Sequence, residues 1–211
     1  VAQGDGRGVQ IVPPFDAEIA AAIEATPPAD QVPMNDDLVE AVDPRDEYVA
    51  EAVKLASGDA AARADLRIVL TAMHGVGAPL TSRVLEEAGF THVSLVAAQA
   101  EPDPDFPTVP FPNPEEAGAL DMAIEQARAE GADLIIAVDP DADRCALAVP
   151  DPAAEAGWRP LSGDQIGCLL GEFLASRGIQ GSLANSIVSS RLLARIAHAH
   201  GLVHHTTLTG F

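Results

Sequence analysis

Positive charge is scarce in this chain: one lysine (Lys54) and eleven arginines stand against 32 acidic residues, a formal net charge of −20. A surface of that sign repels polyphosphate backbones and anionic lipid, which excludes nucleic acid and membrane surfaces as general partners. Aromatic residues make up only 4% of the chain, so the core must rest on Ala, Val, Leu and Ile. Two cysteines, Cys145 and Cys168, are too few for a disulfide framework. Cys145 opens the apolar run that ends at Val149 and reads as a buried structural thiol. No basic segment followed by an apolar one opens the chain, and no apolar run approaches the length of a membrane span. The cytoplasm is the expected compartment.

What is present is an ordinary globular interior, 47% apolar over 211 residues, enough for one large domain or about two small ones. Val9 to Val12 reads as a strand end, followed by a turn at Pro13-Pro14 and a helix to Glu24 capped by Asp16. Residues 26–44, rich in Pro and Asp, read as a connector before a helix over about 45–57. Strands are then expected at Leu66–Leu70, His92–Val96, Asp133–Val138, Cys145–Val149, Leu183–Val188 and Leu202–Thr206. Helices are expected at Leu80–Gly89, from Asn113 to about Glu130, at Gly163–Arg177 with Ile166, Leu169, Leu170, Phe173 and Leu174 on one face, and at Ser190–His200. Six prolines between Pro102 and Pro114 predict an extended, unpaired segment, and Asn113, Pro114 and Glu116 have the N-cap, N1 and N3 chemistry of a helix start. Strands separated by such helices give an α/β fold with mixed or mainly parallel sheets flanked by helices. Both ends read as cut from a longer protein.

The richest chemistry lies in Asp139-Pro-Asp-Ala-Asp-Arg144, directly after the apolar run Leu134–Val138. Carboxylates at i, i+2 and i+4 point largely the same way if the chain stays extended. Held close, they repel unless a cation sits among them, and hard oxygen ligands suit Mg²⁺ or Ca²⁺. Arg144 adds a fork suited to phosphate or carboxylate. A metal and an arginine beside an anionic ligand point to phosphoryl transfer. An EF-hand is excluded, since its loop needs glycine where Arg144 stands and glutamate where Pro150 stands. The plain alternative is a solvated acidic turn.

Other candidates are weaker. Thr71-Ala-Met-His-Gly-Val-Gly77 occupies a strand-to-helix loop, where α/β sheets present ligands; its glycines allow a backbone to approach a phosphate or a neighbouring loop. His74 is a candidate substrate contact, with a packed structural histidine as the equal alternative. Leu161–Gln165 reads as a helix start capped by Ser162 or Asp164, and Ser189-Ser190-Arg191 as a helix cap. His198 and His200, two apart on a helix, point different ways, so no metal site is assigned to the His-rich end.

Five segments in order, Thr71–Gly77, Phe106–Glu116, Asp139–Arg144, Ser162-Gly-Asp-Gln-Ile-Gly167 and Thr207-Leu-Thr-Gly-Phe211, resemble the α-D-phosphohexomutases, the phosphoglucomutases and phosphomannomutases with their phosphopentomutase-like relatives. The resemblance implies one complete domain with parts of two neighbours: residues 1–40 the tail of a first domain, 41–158 a second with the metal loop, and 159–211 the opening half of a third. It implies that Asp139, Asp141 and Asp143 hold Mg²⁺, that Arg144 is an active-site arginine, and that Thr209 and Gly210 face the sugar. Pro140 stands where glycine is commoner in the family, as in the branch with the Phe106–Glu116 segment. The implied substrate is a phosphorylated hexose or pentose, rearranged through a phosphoserine and a sugar bisphosphate. The family's Thr-x-Ser-His-Asn-type serine loop is absent from these residues, so the chain alone is expected to be inactive. A stand-alone, non-catalytic metal and phosphosugar-binding module is the other reading. A phosphatase of the D-x-D kind is a weaker third, because Ala142-Asp143-Arg144 stands where it needs Thr or Val.

Overall fold

The computed structural model describes Ile11, residues 13–154 and residues 156–209. Of the strand end expected over 9–12 only Ile11 is described, and Gly210, expected to face the sugar, lies outside the described residues. Helices α1 (Phe15–Glu24), α2 (Arg45–Val53) and α3 (Ala60–Asp65) precede the first strand, β1 (Arg67–Thr71). Then come α4 (Ala78–Glu87), β2 (His92–Leu95), α5 (Asp121–Glu130), β3 (Leu134–Val138), β4 (Cys145–Pro150) and β5 (Trp158–Pro160). These strands form one mixed sheet in the order β2-β1-β3-β4-β5. β2, β1 and β3 run parallel, and β4 and β5 continue the sheet antiparallel.

β1 reads Arg-Ile-Val-Leu-Thr with everything after Arg67 buried, as expected of a strand covered on both faces. On one face α5 packs Ala123, Ile124 and Ala127 against Val69, Ile135, Ala137, Ala148 and Trp158. On the other, Ala78 at the start of α4 meets Ala72 and Val138. The many alanines bring helices close to the sheet, which is how a core with few aromatics fills its space. Each fully buried Ile or Leu contributes about 1.5–3 kcal/mol. Ile68, Leu70 and Ile135 therefore anchor the two strands that end at the candidate site.

The chain leaves β1 toward β2 on one side and returns through α5 to β3 on the other. The strand order reverses at β1, and the crevice beyond the carboxyl ends of β1 and β3 is the place where open α/β sheets hold ligands. Thr71 pairs with Ala137, so the two strands end side by side.

After β5 come α6 (Gly163–Ser176), β6 (Ser182–Ser186), α7 (Leu192–Ala199) and β7 (Val203–Thr207), with β6 and β7 paired as a parallel two-stranded sheet. Ser162 caps α6 in a reciprocal box with Gln165. Gly171 lets α7 approach, since a Cβ there would lie 2.3 Å from Leu193 Cδ1.

Several expectations need correction. α5 begins at Asp121, eight residues past Asn113, because Gly118 takes φ +82° and separates a run of turns from the helix. Asn113 still caps locally, accepting from the Glu115 N–H at 3.1 Å. The proline-rich segment is not extended. It turns at Phe106, which has φ +45°, donates to Asp103 O and accepts from the Val109 N–H. α1 starts at Phe15, which puts Asp16 inside the first turn. α3 and β5 were not foreseen, being too short for a periodic pattern. Cys145 is exposed: on β4 the inward positions are Ala146 and Ala148, and the buried thiol is Cys168. On α6 the buried residues are Cys168, Gly171 and Ala175, while Leu169, Leu170, Phe173 and Leu174 are exposed. Among the described residues, no helix is long and apolar enough to cross a membrane.

Candidate metal centre

Val138 at the end of β3 pairs with Cys145 at the start of β4, so residues 139–144 close a hairpin. The loop does not continue extended. Ala142 adopts φ +59°, and its N–H donates to Asp139 O at 2.9 Å. The turn, rather than strand periodicity, gathers the three aspartates: one carboxylate oxygen from each of Asp139, Asp141 and Asp143 lies within 4.8 Å of the others. They are the one such acidic cluster among the described residues.

The cluster is asymmetric. Asp139 is 1% exposed, whereas Asp141 and Asp143 face solvent. The Arg144 backbone N–H donates to Asp139 Oδ1 at 2.9 Å, and its Nε donates to Oδ2 at 2.7 Å. This pair locks the buried carboxylate while each oxygen keeps a lone pair for another partner. The same Nε lies 3.6 Å from Asp143 Oδ1, and the Arg144 side chain remains 57% exposed.

Burial pushes the Asp139 carboxyl up, but the Arg144 backbone N–H and guanidinium outweigh it and hold the group below the usual carboxylate range. Asp143 moves the other way, raised first by the charge of Asp141 and then by desolvation and Asp139. Repulsion of this kind is what a cation would relieve. Three hard oxygens, one locked and two at the solvent edge, fit a small divalent ion such as Mg²⁺ that keeps part of its water shell.

The second loop of the site, 72–77 after β1, packs directly onto the first. Val76 N–H donates to Pro140 O at 2.9 Å, and a Cβ on Gly75 would fall 2.3 Å from Pro140 Cα. A Cβ on Gly77 would stand 2.8 Å from Ala142 Cβ and 3.0 Å from Val138 Cγ2. Of the two uses open to these glycines, the structure shows the close approach of a neighbouring loop. His74 is buried at 5% exposure, with φ +63° and its Nε2 2.9 Å from Thr108 Oγ1.

Sequence reasoning missed the residues that hold this loop. Gln99, 1% exposed, accepts from the Thr71 hydroxyl at 2.6 Å and donates through Nε2 to Thr108 Oγ1 at 2.8 Å. Its backbone carbonyl accepts the His74 N–H at 3.0 Å. The available signal was a lone amide in the alanine-rich stretch after β2, a weak one. Thr209 lies exposed just beyond β7. In the His-rich end, His200 meets Glu172 at 3.0 Å and His204 meets Asn185 at 2.9 Å, pairings that need no metal.

Residues 46–153, which contain both loops, match the family model described as phosphoglucomutase/phosphomannomutase, alpha/beta/alpha domain II. Over 215 residues the chain is 47% identical to the Haemophilus influenzae protein named "Probable phosphomannomutase", covering 97% of this chain and 42% of that protein. The chain belongs to the phosphoglucomutase/phosphomannomutase family. It is also 35% identical over 236 residues to the phosphoribomutase of Saccharomyces cerevisiae, covering 97% of this chain and 38% of that one. A crystal structure of a family protein from Burkholderia thailandensis shares the fold, with a TM-score of 0.67 and 24% identity over 81% of this chain and 34% of its own. This family member therefore spans about two-fifths of the length of those two sequence relatives.

Proposed function

We propose that this chain carries the metal cradle of a Mg²⁺-dependent phosphosugar mutase acting on a phosphorylated hexose or pentose. The observation that supports this most is the convergence of the Asp139, Asp141 and Asp143 oxygens on a turn braced by Arg144. Mg²⁺ held by these three residues would neutralise charge on a phosphoryl group in transfer. Asp139 enters the site already ionised and oriented, because Arg144 holds both of its oxygens. Arg144 spends its Nε on that carboxylate, and its outer nitrogens, on a half-exposed side chain, would be the donors to a phosphate oxygen. Asp141 and Asp143 close the cradle from the solvent side.

Thr209 and Gly210 keep their place in this reading as sugar-facing residues. His74 moves to a loop-positioning role, since its ring is buried and engaged by Thr108. The domain assignment stays with the reading: 1–40 to a first domain, 41–158 to a second, 159–211 to part of a third. The match over 46–153 favours the middle boundaries. The phosphoryl-carrying serine is assigned to a part of the enzyme outside these 211 residues, which contain no Thr-x-Ser-His-Asn segment, so the chain alone is proposed to be inactive. The enzyme is assigned to the cytoplasm.

The test is turnover of glucose 1-phosphate, mannose 1-phosphate and ribose 1-phosphate by the full-length protein that contains these residues. Turnover of at least one, abolished by chelation and restored by Mg²⁺, is expected, with none from the 211-residue chain by itself. Chelator-resistant turnover sinks the metal assignment, and turnover by the isolated chain sinks its inactivity.

A further inference from the structure

Two consecutive residues of the 72–77 loop, Met73 and His74, hold left-handed backbone conformations, φ +51° and +63°, that non-glycine residues seldom adopt. Such a conformation persists only when its surroundings over-determine it. Here they do so through buried hydrogen bonds that converge on Gln99. The Met73 N–H donates to Thr71 Oγ1 at 3.1 Å, and the Thr71 hydroxyl donates to Gln99 Oε1. The His74 N–H donates to the Gln99 carbonyl. Gln99 Nε2 donates to Thr108 Oγ1, and the same hydroxyl is hydrogen-bonded to His74 Nε2. The amide thus joins the end of β1, the strained loop and the proline-rich segment.

One residue beyond His74 the chain meets the carboxylate loop. Gly75 lies against Pro140, and the Val76 N–H holds the Pro140 carbonyl. Pro140 sits between Asp139 and Asp141, so its position sets where those two carboxylates stand. We infer that Gln99, acting with Thr71 and Thr108, is a positioning residue for the aspartate cluster, which it never touches. As a role in metal binding this rests on the function proposed above; as a mechanical link between the two loops it does not.

Thr108 provides the test, because it is exposed and lies outside the buried core. Thr108→Val removes the hydroxyl that bridges Gln99 and His74, and Thr108→Ser restores it. Gln99→Leu is the stronger variant, and Ile124→Ala, in α5, serves as a core-destabilising control. Amide hydrogen exchange of Val76, Ala142 and Arg144 is followed in the full-length protein without metal. The expected result is exchange faster by about tenfold at these three amides in Thr108→Val, the order of one lost buried hydrogen bond, with wild-type rates in Thr108→Ser. Ile124→Ala is expected to speed exchange broadly, without singling out these amides. Unchanged exchange at Ala142 and Arg144 in Thr108→Val, or equal acceleration in Thr108→Ser, overturns the inference. Mn²⁺ binding by the same variants is then read by spectroscopy. Weaker binding in Thr108→Val than in Thr108→Ser extends the link to the metal. If the wild type binds no Mn²⁺, the proposed function fails while the exchange result stands.

Discussion

Gly75 stands so close to Pro140 that a Cβ built on it would lie 2.3 Å from the proline Cα and 2.5 Å from its carbonyl oxygen. The contact is backbone against backbone, so neither side can yield by a rotamer change. It joins the loop after β1 to the loop after β3 and fixes how the aspartates face the crevice.

Gly75→Ala should therefore destabilise the protein by about 1–3 kcal/mol, the usual cost of overpacking, and weaken divalent-ion binding as well. Gly171→Ala makes an equally short contact, also 2.3 Å, but with a terminal methyl of the Leu193 side chain rather than with backbone. There the gain in helix propensity, about 1 kcal/mol, offsets much of the strain. Denaturant unfolding of the two variants should show a clear loss for the first and little change for the second. Equal losses would mean that the Gly75–Pro140 contact is not the rigid one.

Asp143 and Asp139 should protonate in a set order as pH falls in metal-free protein. Asp143, raised chiefly by Asp141, takes its proton before Asp139, which Arg144 holds down against the effect of its burial. The linkage signs are opposite. Asp139 contributes stability above the ordinary carboxyl pKa, and it is lost as pH falls through its lowered value. Asp143 favours the fold when protonated, a contribution lost as pH rises through its raised value. Carboxyl carbon shifts followed through an acid titration check the order, and Asp139 protonating before Asp143 would contradict it.

The exposed leucines of α6 make a third prediction. Leu169 and Leu170 are 58% and 57% exposed, with Phe173 and Leu174 beside them. An apolar patch of this kind promotes association in water. The isolated 211-residue chain should self-associate as its concentration rises, and the double substitution Leu169→Lys with Phe173→Lys should suppress this. Sedimentation velocity distinguishes the outcomes, and a chain that stays monomeric throughout would count against the patch.

Much of the fold was legible where the chain gives long signals. The buried runs at Leu66–Leu70 and Leu134–Val138 became parallel neighbours, and Ser162, one of the two caps read at that helix start, caps α6. The boundary of α5 was not legible, because the helix-start chemistry at Asn113 is local and Gly118 overrides it four residues after Pro114. The outward turn of the α6 leucines was hidden too: apolar spacing locates a face but not what covers it. At the site, the aspartates themselves were plain in the sequence, but the means of bringing them together was not. That depends on Ala142 turning left-handed and on contacts between residues more than sixty positions apart, as between Gly75 and Pro140. Gln99 was invisible for the same reason, since its partners Thr71 and Thr108 come from different segments.

On the function proposed here, Asp139, Asp141 and Asp143 repel one another until Mg²⁺ joins them. The deciding measurement is the melting temperature of full-length wild type and of Asp141→Ala, each with and without Mg²⁺. Without metal, Asp141→Ala should melt at or above the wild-type temperature, because the charge that raises Asp143 is gone. With Mg²⁺ the wild type should rise, by about 2.7 kcal/mol of added stability at a hundred times the dissociation constant, and the variant should not. An equal rise in both proteins, or none in the wild type, would contradict the account.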